Sequence, residues 1–246
     1  MMFGRISKYY DLIMSPFDYR ELVDCLDDLI IMCGGNRTDV LDFGCGTSEE
    51  LLYFTQLGYS VRGIDISPEM ISISKKKLPA AQFFTGDIRS YVSEKKFDNA
   101  VCVFDTVNYI TKPDELSGFF RCVNKSLKTG GLFLFDFNSV YGLKNEWEGV
   151  KIEETEDFFI SYESFFDQTT SILECRMKFF IKEEDGRFIT FDETHFERGY
   201  IPHEMELILE KSGFKTEKIL PFMSRRQTRS KKLGRYQIVA KKTGEI

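Results

Sequence analysis

One stretch of the sequence constrains the fold more than any other: residues 40–52 read VLDFGCGTSEELL. The apolar run around Asp42 predicts a buried strand, and Gly44 and Gly46 predict a tight turn, because glycine adopts left-handed backbone angles at little cost. A helix is expected to follow, with Ser48 as its N-cap. A strand, a glycine turn and a helix in this order are typical of α/β proteins that bind a nucleotide-like ligand at the turn.

The predicted helix begins with two carboxylates, and these restrict the ligand. The dinucleotide fingerprint G-x-G-x-x-G requires a third glycine at position 49, where this chain has Glu49, followed by Glu50. A pyrophosphate at that helix start would face both acids, and at an effective dielectric of ~20 each such contact would cost several kcal/mol. A nicotinamide or flavin dinucleotide is therefore disfavoured, whereas a cation that keeps the adenosine, such as S-adenosylmethionine, is favoured. In the alternative interpretation, the two acids only complement the helix dipole.

Strand-like and helix-like segments alternate along most of the chain. Helical patterns cover 20–33, 48–58, 67–78, 114–128 and 203–213, and strand patterns cover 39–43, 60–65, 81–87, 97–105, 131–137, 214–222 and 235–242. Because parallel strands need crossover connections that are usually helical, this alternation predicts an α/β fold with a doubly wound, mostly parallel sheet of seven strands.

The pattern changes near residue 145. Between residues 147 and 201 the sequence predicts three or four strands in an antiparallel meander, with one hairpin turn at EDG, residues 184–186. We expect this insert after the fifth strand to lie over one end of the main sheet. The predicted division is a main domain of residues 1–144 and 202–246 and an insert domain of residues 145–201.

The order of the motifs resembles the class I S-adenosylmethionine-dependent methyltransferases. VLDFGCGTSEELL resembles their first motif, D/E-x-G-x-G-x-G after a strand, with Ser48 where the third glycine usually stands. VRGIDISPEM, GDI, FDNAVCVFDTVNYI and LKTGGLFLFDF resemble the next four strand-end motifs, so the resemblance covers nearly the whole chain. It implies a Rossmann-like methyltransferase fold in which Asp65 accepts both ribose hydroxyls and Asp87 holds the adenine.

The resemblance also implies where the cofactor binds. S-adenosylmethionine is the expected cofactor, and no metal is expected. The expected cofactor contacts come from the strand ends and the amino-terminal segment: Tyr10, Tyr19, Asp42, Gly44, Cys45, Gly46, Asp65, Ile66, Met70, Gly86, Asp87, Ile88, Phe104 and Asp105.

The amino-terminal YYDLIMSPFDY resembles a segment of the small-molecule branch, which includes amino-sugar N-methyltransferases and relatives of glycine N-methyltransferase. In that branch the segment folds over the cofactor, and aromatic faces attract a sulfonium. The resemblance implies that Tyr10 and Tyr19 help to close the site. Alternatively, they pack a helix onto the sheet. The insert is also shared with that branch, where it forms a lid or a floor for the acceptor.

Two residues, His195 and Tyr109, are the catalytic candidates. HFERGY, residues 195–200, resembles a segment on the last strand of the insert. His195 is expected to be either a base or acceptor-binding group, or a structural residue with satisfied hydrogen bonds. Tyr109 stands where some sugar N-methyltransferases have a histidine, but with a reference pKa near ~10 it is a poor base at neutral pH.

Composition narrows the class of function. A net charge of −6 and an isoelectric point near 5.2 argue against a nucleic-acid partner. The basic run SRRQTRSKK, residues 224–232, is either an RNA-contacting loop or a solvated hairpin end, and it lacks the interleaved aromatic residues of a stacking platform. No apolar run approaches the ~18 residues of a membrane span, and no signal peptide is recognisable, so we expect a cytoplasmic protein.

The sequence therefore predicts methyl transfer to nitrogen or oxygen of a small-molecule acceptor by in-line displacement. Two alternatives stay open at this point: an RNA- or tRNA-modifying methyltransferase, and a non-catalytic regulatory module that binds S-adenosylmethionine. A homodimer is one expected assembly, because the edge of the insert could meet a second subunit.

Overall fold

The computed structural model describes residues 4–228, 230 and 232–245 and contains two β-sheets. Its strands are β1 (Asp39–Phe43), β2 (Ser60–Asp65), β3 (Gln82–Thr85), β4 (Phe97–Cys102), β5 (Leu127–Asn138), β6 (Gly149–Glu154), β7 (Phe158–Asp167), β8 (Ile172–Lys182), β9 (Phe188–Arg198), β10 (Phe214–Pro221) and β11 (Arg235–Lys242). Its α-helices are α1 (Tyr10–Ile13), α2 (Tyr19–Met32), α3 (Glu49–Gln56), α4 (Pro68–Lys77), α5 (Pro113–Ser126), α6 (Val140–Gly142) and α7 (Pro202–Lys211). Short 3-10 turns cover Ile6–Tyr9 and Thr106–Tyr109, and a π-helical turn covers Leu143–Trp147.

The larger sheet has seven strands in the order β10-β11-β5-β4-β1-β2-β3. The five strands from β5 to β3 are parallel, whereas β11 is antiparallel to both β5 and β10. This is the predicted mostly parallel sheet. Because β1 has β2 on one side and β4 on the other, the chain leaves β1 at the point where the strand order reverses, and ligands bind in the crevice at such points.

Helices cover both faces of this sheet, which confirms the doubly wound arrangement. On one face, α2 and α3 bury side chains such as Leu22 and Phe54 against β1. On the other face, α5 and α7 bury Phe119 and Leu209 against β4 and β5. Each fully buried leucine or phenylalanine stabilises the fold by ~1.5–3 kcal/mol, so the sheet is held by apolar packing on both sides.

The second sheet is antiparallel, with strand order β6-β7-β8-β9, and lies in the predicted insert. Alternate side chains of β7 and β8, such as Ile160 and Phe179, face an apolar cluster. Ile6 of the amino-terminal segment and Leu143 of the π-helical turn join that cluster. The amino-terminal segment therefore packs on the insert sheet, and the division into residues 1–144 with 202–246 and residues 145–201 stays a prediction.

Several predicted element ends differ from the structure, such as that of the fourth strand, and part of the basic run falls outside the described residues. The fourth strand ends at Cys102 rather than at residue 105, because Phe104 and Asp105 take positive φ angles of 56° and 51°, which no strand accommodates. Within the basic run, residues 229 and 231 lie outside the described residues. Among the described residues, no helix has the length and apolar character needed to span a bilayer.

Candidate active site

A cavity of about 440 Å³ lies over the carboxyl ends of the parallel strands. The glycine turn after β1 forms one end, and the inner face of the insert sheet forms the other. All the predicted site residues line it except Asp42, which is buried behind the turn, and Gly86, whose backbone N–H donates to the Asp65 carbonyl at 2.9 Å. A concave, largely apolar pocket at the switch point of an α/β sheet is the usual place for a cofactor.

The glycine turn has the backbone that its sequence predicts. Gly44 and Gly46 have φ angles of +89° and +48°, in the left-handed region. A Cβ on Gly44 would lie 2.6 Å from Cγ2 of Thr106, so glycine is required there by space as well as by conformation. The Gly46 N–H donates to Oδ2 of Asp65 at 2.9 Å, and the Ser67 N–H donates to Oδ1 at 2.8 Å. Two backbone donors thus fix the Asp65 carboxylate at the edge of the cavity.

Ser48 also lies in the left-handed region, with φ +63°, and its side chain does not cap α3. The prediction that it caps the helix was therefore wrong: a capping serine needs an extended backbone, which Ser48 lacks. Its hydroxyl instead donates to Oγ of Ser74 at 2.9 Å, and Ser74 in turn donates to the Gly46 carbonyl at 2.8 Å. The left-handed angle explains why a glycine would suit this position.

Two carboxyl groups are buried beneath the turn, on Asp42 and Glu50. No other described residue donates a hydrogen bond to either oxygen of Asp42 or to Oε1 of Glu50, but the two carboxyls can share a proton with each other. Burial raises the pKa of Glu50 to about 7 and, together with the charge of Glu50, raises the pKa of Asp42 well above its ordinary value. The neighbouring Glu49 instead pairs with Lys77 at 2.7 Å. The two acids of the helix start thus differ: Glu50 lines the cavity, and its burial is costly unless a cation or a proton compensates it.

Asp87 and the residues around it form the side of the cavity at β3. Arg89 Nη2 pairs with Asp87 Oδ2 at 2.6 Å, and these hydrogen bonds hold the pKa of Asp87 below its ordinary value. Ile66, Met70 and Ile88 add apolar surface on the same side. An ionised carboxylate beside apolar walls suits a flat heterocycle with an amino group.

Tyr10 and Tyr19 line the cavity from the amino-terminal segment. The Tyr19 ring is 7% exposed and packs edge-on against Phe17, with ring centroids 5.2 Å apart, and at a tilt against Phe104, at 5.4 Å. Burial raises the pKa of the Tyr10 hydroxyl, so this group stays protonated. Tyr19 packs the start of α2 and also lines the cavity. Its position is therefore compatible with both expected roles, packing a helix onto the sheet and helping to close the site.

Tyr109 and His195 meet in a hydrogen-bonded chain at the insert end of the cavity. Tyr109 Oη lies 2.9 Å from His195 Nδ1, and His195 Nε2 lies 2.9 Å from Oε2 of Glu193. A carboxylate only accepts, so Nε2 carries the proton toward Glu193 and Nδ1 accepts the Tyr109 hydroxyl; this tautomer is assigned from the contacts. Burial raises the pKa of Tyr109 well above its ordinary value, which keeps it a neutral donor.

A buried polar cluster behind the cavity holds Asp105 in place. Arg235 Nε donates to Asp136 at 2.6 Å, and its Nη2 lies 3.2 Å from Asp105 Oδ1. Asn138 Nδ2 donates to Asp105 at 2.9 Å and to Glu197 at 3.1 Å. Sequence reasoning missed Arg235 as part of the site, because only the tertiary fold brings it there. The strand alternation places Glu193 on the face of His195 without giving it a role, and sequence reasoning assigned Glu50 no specific contact.

Comparisons with known proteins identify the family. Residues 40–131 match the family model described as "Methyltransferase domain". A putative methyltransferase of Bacillus subtilis is 27% identical over 224 residues, which cover 89% of each chain. A solved S-adenosylmethionine-dependent methyltransferase from Clostridium acetobutylicum is 26% identical and superimposes with a TM-score of 0.86 over 96% of both chains. Residues 40–131 form a methyltransferase domain, and over nearly its whole length the chain is similar to S-adenosylmethionine-dependent methyltransferases.

The small-molecule branch is also represented among the similar proteins. A dTDP-3-amino-3,4,6-trideoxy-alpha-D-glucopyranose N,N-dimethyltransferase of Streptomyces venezuelae is 28% identical over 119 residues, which cover 48% of this methyltransferase and 50% of the relative. DesVI of Streptomyces venezuelae has the same fold, with a TM-score of 0.79 at 20% identity over 95% of this chain and 96% of that one. The predicted family, fold and cofactor are confirmed, and the dinucleotide alternative does not apply.

Proposed function

We propose that this methyltransferase transfers the methyl group of S-adenosylmethionine to a nitrogen or oxygen of a small molecule bound in the same cavity. The observation that carries the proposal is the continuity of the cavity: the glycine turn lines one end, and His195 with Tyr109 lines the other. Methyl transfer depends chiefly on aligning nucleophile, methyl and sulfur, which a shared cavity achieves by confinement.

The cofactor half fits S-adenosylmethionine on charge and shape. Glu50, whose pKa is raised to about 7 by burial, would ionise beside the cationic end of the cofactor and pair with it, because a nearby opposite charge favours the ionised form. Asp65, fixed by two backbone donors, would accept the ribose hydroxyls. Tyr10 and Tyr19 would face the sulfonium, for which aromatic faces are favourable.

The rest of the cofactor half would hold the adenosine. Asp87 would accept from the adenine amino group. Gly86 precedes Asp87 in the chain, and a larger residue there would be crowded, because its Cβ would come within 3.2 Å of Ile64 Cδ1. Further contacts with the cofactor would come from residues of the strand ends and the turn that line the cavity: Gly44, Cys45, Gly46, Ile66, Met70, Ile88, Phe104 and Asp105.

The acceptor half offers a path for the proton that an O–H or N–H acceptor must lose. As the new bond to the methyl carbon forms and the sulfur–methyl bond breaks, the acceptor proton passes to Tyr109 Oη, and the Tyr109 proton passes to His195 Nδ1. Glu193 would stabilise the resulting imidazolium through Nε2. A neutral tyrosine is a poor base by itself, and the histidine behind it supplies the basicity.

The test supplies S-adenosylmethionine labelled on its methyl group to the protein in a cell extract and follows the label into separated pools. We expect the label in molecules that pass a small-pore filter, and this transfer should survive ribonuclease treatment. Label in an RNA fraction would favour the RNA-modifying alternative. Binding of S-adenosylmethionine without transfer to any pool would favour the non-catalytic module.

A pair of variants then tests the proton path on the acceptor so found. Tyr109→Phe and His195→Gln are each expected to lower kcat by about 10²-fold or more, the usual size of an acid–base contribution. Calorimetric binding of S-adenosylhomocysteine should change little, because neither residue belongs to the cofactor half. An unchanged kcat in both variants would assign His195 the structural role instead.

The RNA alternative has less support from charge. Within the described part of the basic run, Arg225 pairs with Glu21 at 2.7 Å and with Asp28 on α2, so its charge is already neutralised. The homodimer and the cytoplasmic location stay predictions.

A further inference from the structure

The acceptor half of the cavity has mostly apolar walls, which come from three separate segments. Ile6 and Ile13 line it from the amino-terminal segment, Trp147 from the π-helical turn, and Tyr162, Met177 and Phe179 from β7 and β8. Polar groups are concentrated at one place, where Tyr109 and His195 form their hydrogen bond. A pocket of this kind excludes water around most of its ligand and orients it through a few polar contacts.

The charged groups of the cavity are mainly acidic. Four carboxylates belong to the described lining, those of Glu50, Asp65, Asp87 and Asp105. The cations in the same lining are two arginines, and both are already paired. Arg89 binds Asp87 and Glu115, each at 2.6 Å, and Arg235 binds Asp136 at 2.6 Å and Asp105 at 3.2 Å.

These carboxylates lie in the cofactor half and would face S-adenosylmethionine. A diphosphate beside the acceptor would find no unpaired cation in the described lining. Phosphate recognition normally uses arginine forks or lysines that are open to the ligand. Lys151 lies near the cavity, but its ammonium stacks on the Trp147 ring at 4.5 Å from the ring centroid, and Lys151 is not part of the lining. A diphosphate that leaves water without a cationic partner incurs a large desolvation cost, so these apolar walls discriminate against a nucleotide-diphosphate sugar.

We infer that the acceptor is a phosphate-free molecule with an apolar, ring-sized body and a single hydroxyl or amino group directed at Tyr109. This inference rests on the proposed function and narrows its substrate class. It separates this methyltransferase from relatives whose names specify dTDP-linked amino sugars. The apolar body gains free energy by leaving water and by stacking on Trp147 and Phe179.

The chain carries its own reporter for the test, because Trp147 is its only tryptophan. The emission of Trp147 is followed while four probes are titrated into protein saturated with S-adenosylhomocysteine. Three probes share one ring and differ in charge: cyclohexylmethanol, cyclohexylmethylamine and cyclohexylmethyl phosphate. The fourth is dTDP. We expect saturable changes with the alcohol and the amine, and binding at least about tenfold weaker for the phosphate and for dTDP.

Two variants locate the response. Met177→Ala removes part of the apolar wall and should weaken binding of the alcohol several-fold. Phe165→Ala is the matched control, because Phe165 lies on the neighbouring strand of the same sheet but is 68% exposed on its outer face; it should leave the titration unchanged.

Three outcomes would overturn the inference. The phosphate or dTDP could bind as tightly as the alcohol, the ring probes could give no saturable response while S-adenosylhomocysteine is bound, or Phe165→Ala could weaken binding as much as Met177→Ala. Failure to bind S-adenosylhomocysteine, measured separately by calorimetry, would refute the proposed function itself, so the two failures are distinguishable.

Discussion

Replacement of Glu50 by glutamine is expected to stabilise the cofactor-free protein and to weaken cofactor binding. Glu50 is 4% exposed, lies beside the fully buried Asp42, and has an oxygen to which no described residue other than Asp42 can donate a hydrogen bond. An ionised carboxylate in that position costs free energy in the folded state. Glutamine keeps the shape of the side chain and removes the charge. The free energy of unfolding should therefore rise, whereas the cationic ligand loses its negatively charged partner.

The size of the effect follows from the pKa. Burial raises the pKa of Glu50 from its ordinary value of 4.5 to about 7, so the folded protein binds this proton more tightly than the unfolded chain. The resulting stability is present below the unfolded pKa and is lost as the pH rises through 7. At about pH 8, where Glu50 is ionised in both states, burying it costs the folded protein ~3 kcal/mol relative to the unfolded chain. At about pH 5, where Glu50 is protonated in the folded protein and mostly ionised in the unfolded chain, the cost is ~1 kcal/mol. For a chain of this length, ~3 kcal/mol corresponds to a rise in Tm of ~6–12 °C.

The assay is thermal unfolding of Glu50→Gln at about pH 8 and about pH 5, with and without S-adenosylmethionine, alongside calorimetric titration. We expect the large Tm gain only at the higher pH, and cofactor affinity about 10- to 100-fold weaker there, as for a lost charged hydrogen bond. Glu49→Gln is the matched control: Glu49 is partly exposed and paired with Lys77, so its loss should change stability by less than about 1 kcal/mol.

Two results would refute this reasoning. If Glu50→Gln lowered the Tm at about pH 8, the carboxylate would be a stabilising structural group rather than an unsatisfied one. If the variant bound S-adenosylmethionine as tightly as the parent protein, Glu50 would not belong to the cationic site.

Substitutions at three further positions test the surrounding structure. Ser48→Gly should be more stable than Ser48→Ala by about 1 kcal/mol in urea unfolding, because both lose the hydroxyl but only alanine keeps a Cβ in the left-handed region; equal stabilities would contradict the assigned backbone. Gly63→Ala would place a Cβ 2.6 Å from Cys45 Sγ in the glycine turn. We therefore expect the free energy of unfolding to fall by about 1–3 kcal/mol and the thermal shift caused by S-adenosylmethionine to become smaller. Unchanged stability and an unchanged thermal shift would argue against this packing. Asp27→Asn should cost about 1 kcal/mol near neutral pH, because it removes the charge that pairs with Arg37, whose side chain is half exposed and therefore screened by solvent. The hydrogen bonds from Arg37 hold the pKa of Asp27 below its ordinary value, so this stability is present above the unfolded pKa and is lost as the pH falls. The difference in the free energy of unfolding between Asp27→Asn and the parent protein should therefore shrink in acid. A difference that stays constant with pH would contradict this reasoning.

The fold was largely predictable because its signals are local. Glycines at residues 44 and 46, the alternation of strands with amphipathic helices, and the change of period near residue 145 each depend on neighbours within about one element length. The same local evidence brought Tyr109 and His195 into consideration separately. Their hydrogen bond joins residues 86 positions apart, and no spacing rule predicts such a contact.

What sequence reasoning missed was decided by burial and tertiary packing. Positions 49 and 50 are both glutamate, yet Glu49 forms an ion pair with Lys77 and Glu50 is buried beside the cavity. The capping role of Ser48 followed from residue preference, whereas the turn imposed a backbone that preference cannot reveal. Arg235 reaches Asp136 across 99 positions because β11 pairs with β5, a register fixed only when the sheet forms.

The chain leaves the main sheet to form the insert and returns from it at a neighbouring point. Ser139 bridges to Tyr200, and the Val140 N–H donates to the Tyr200 carbonyl at 3.3 Å, while the Tyr200 ring is fully buried in the core. The chain between these two residues can therefore lengthen, shorten or change sequence without altering the distance between the ends it connects. Natural selection can remodel the walls that meet the acceptor while the glycine turn and the parallel strands are inherited unchanged, and a protein engineer can exchange the segment between relatives at the same two positions.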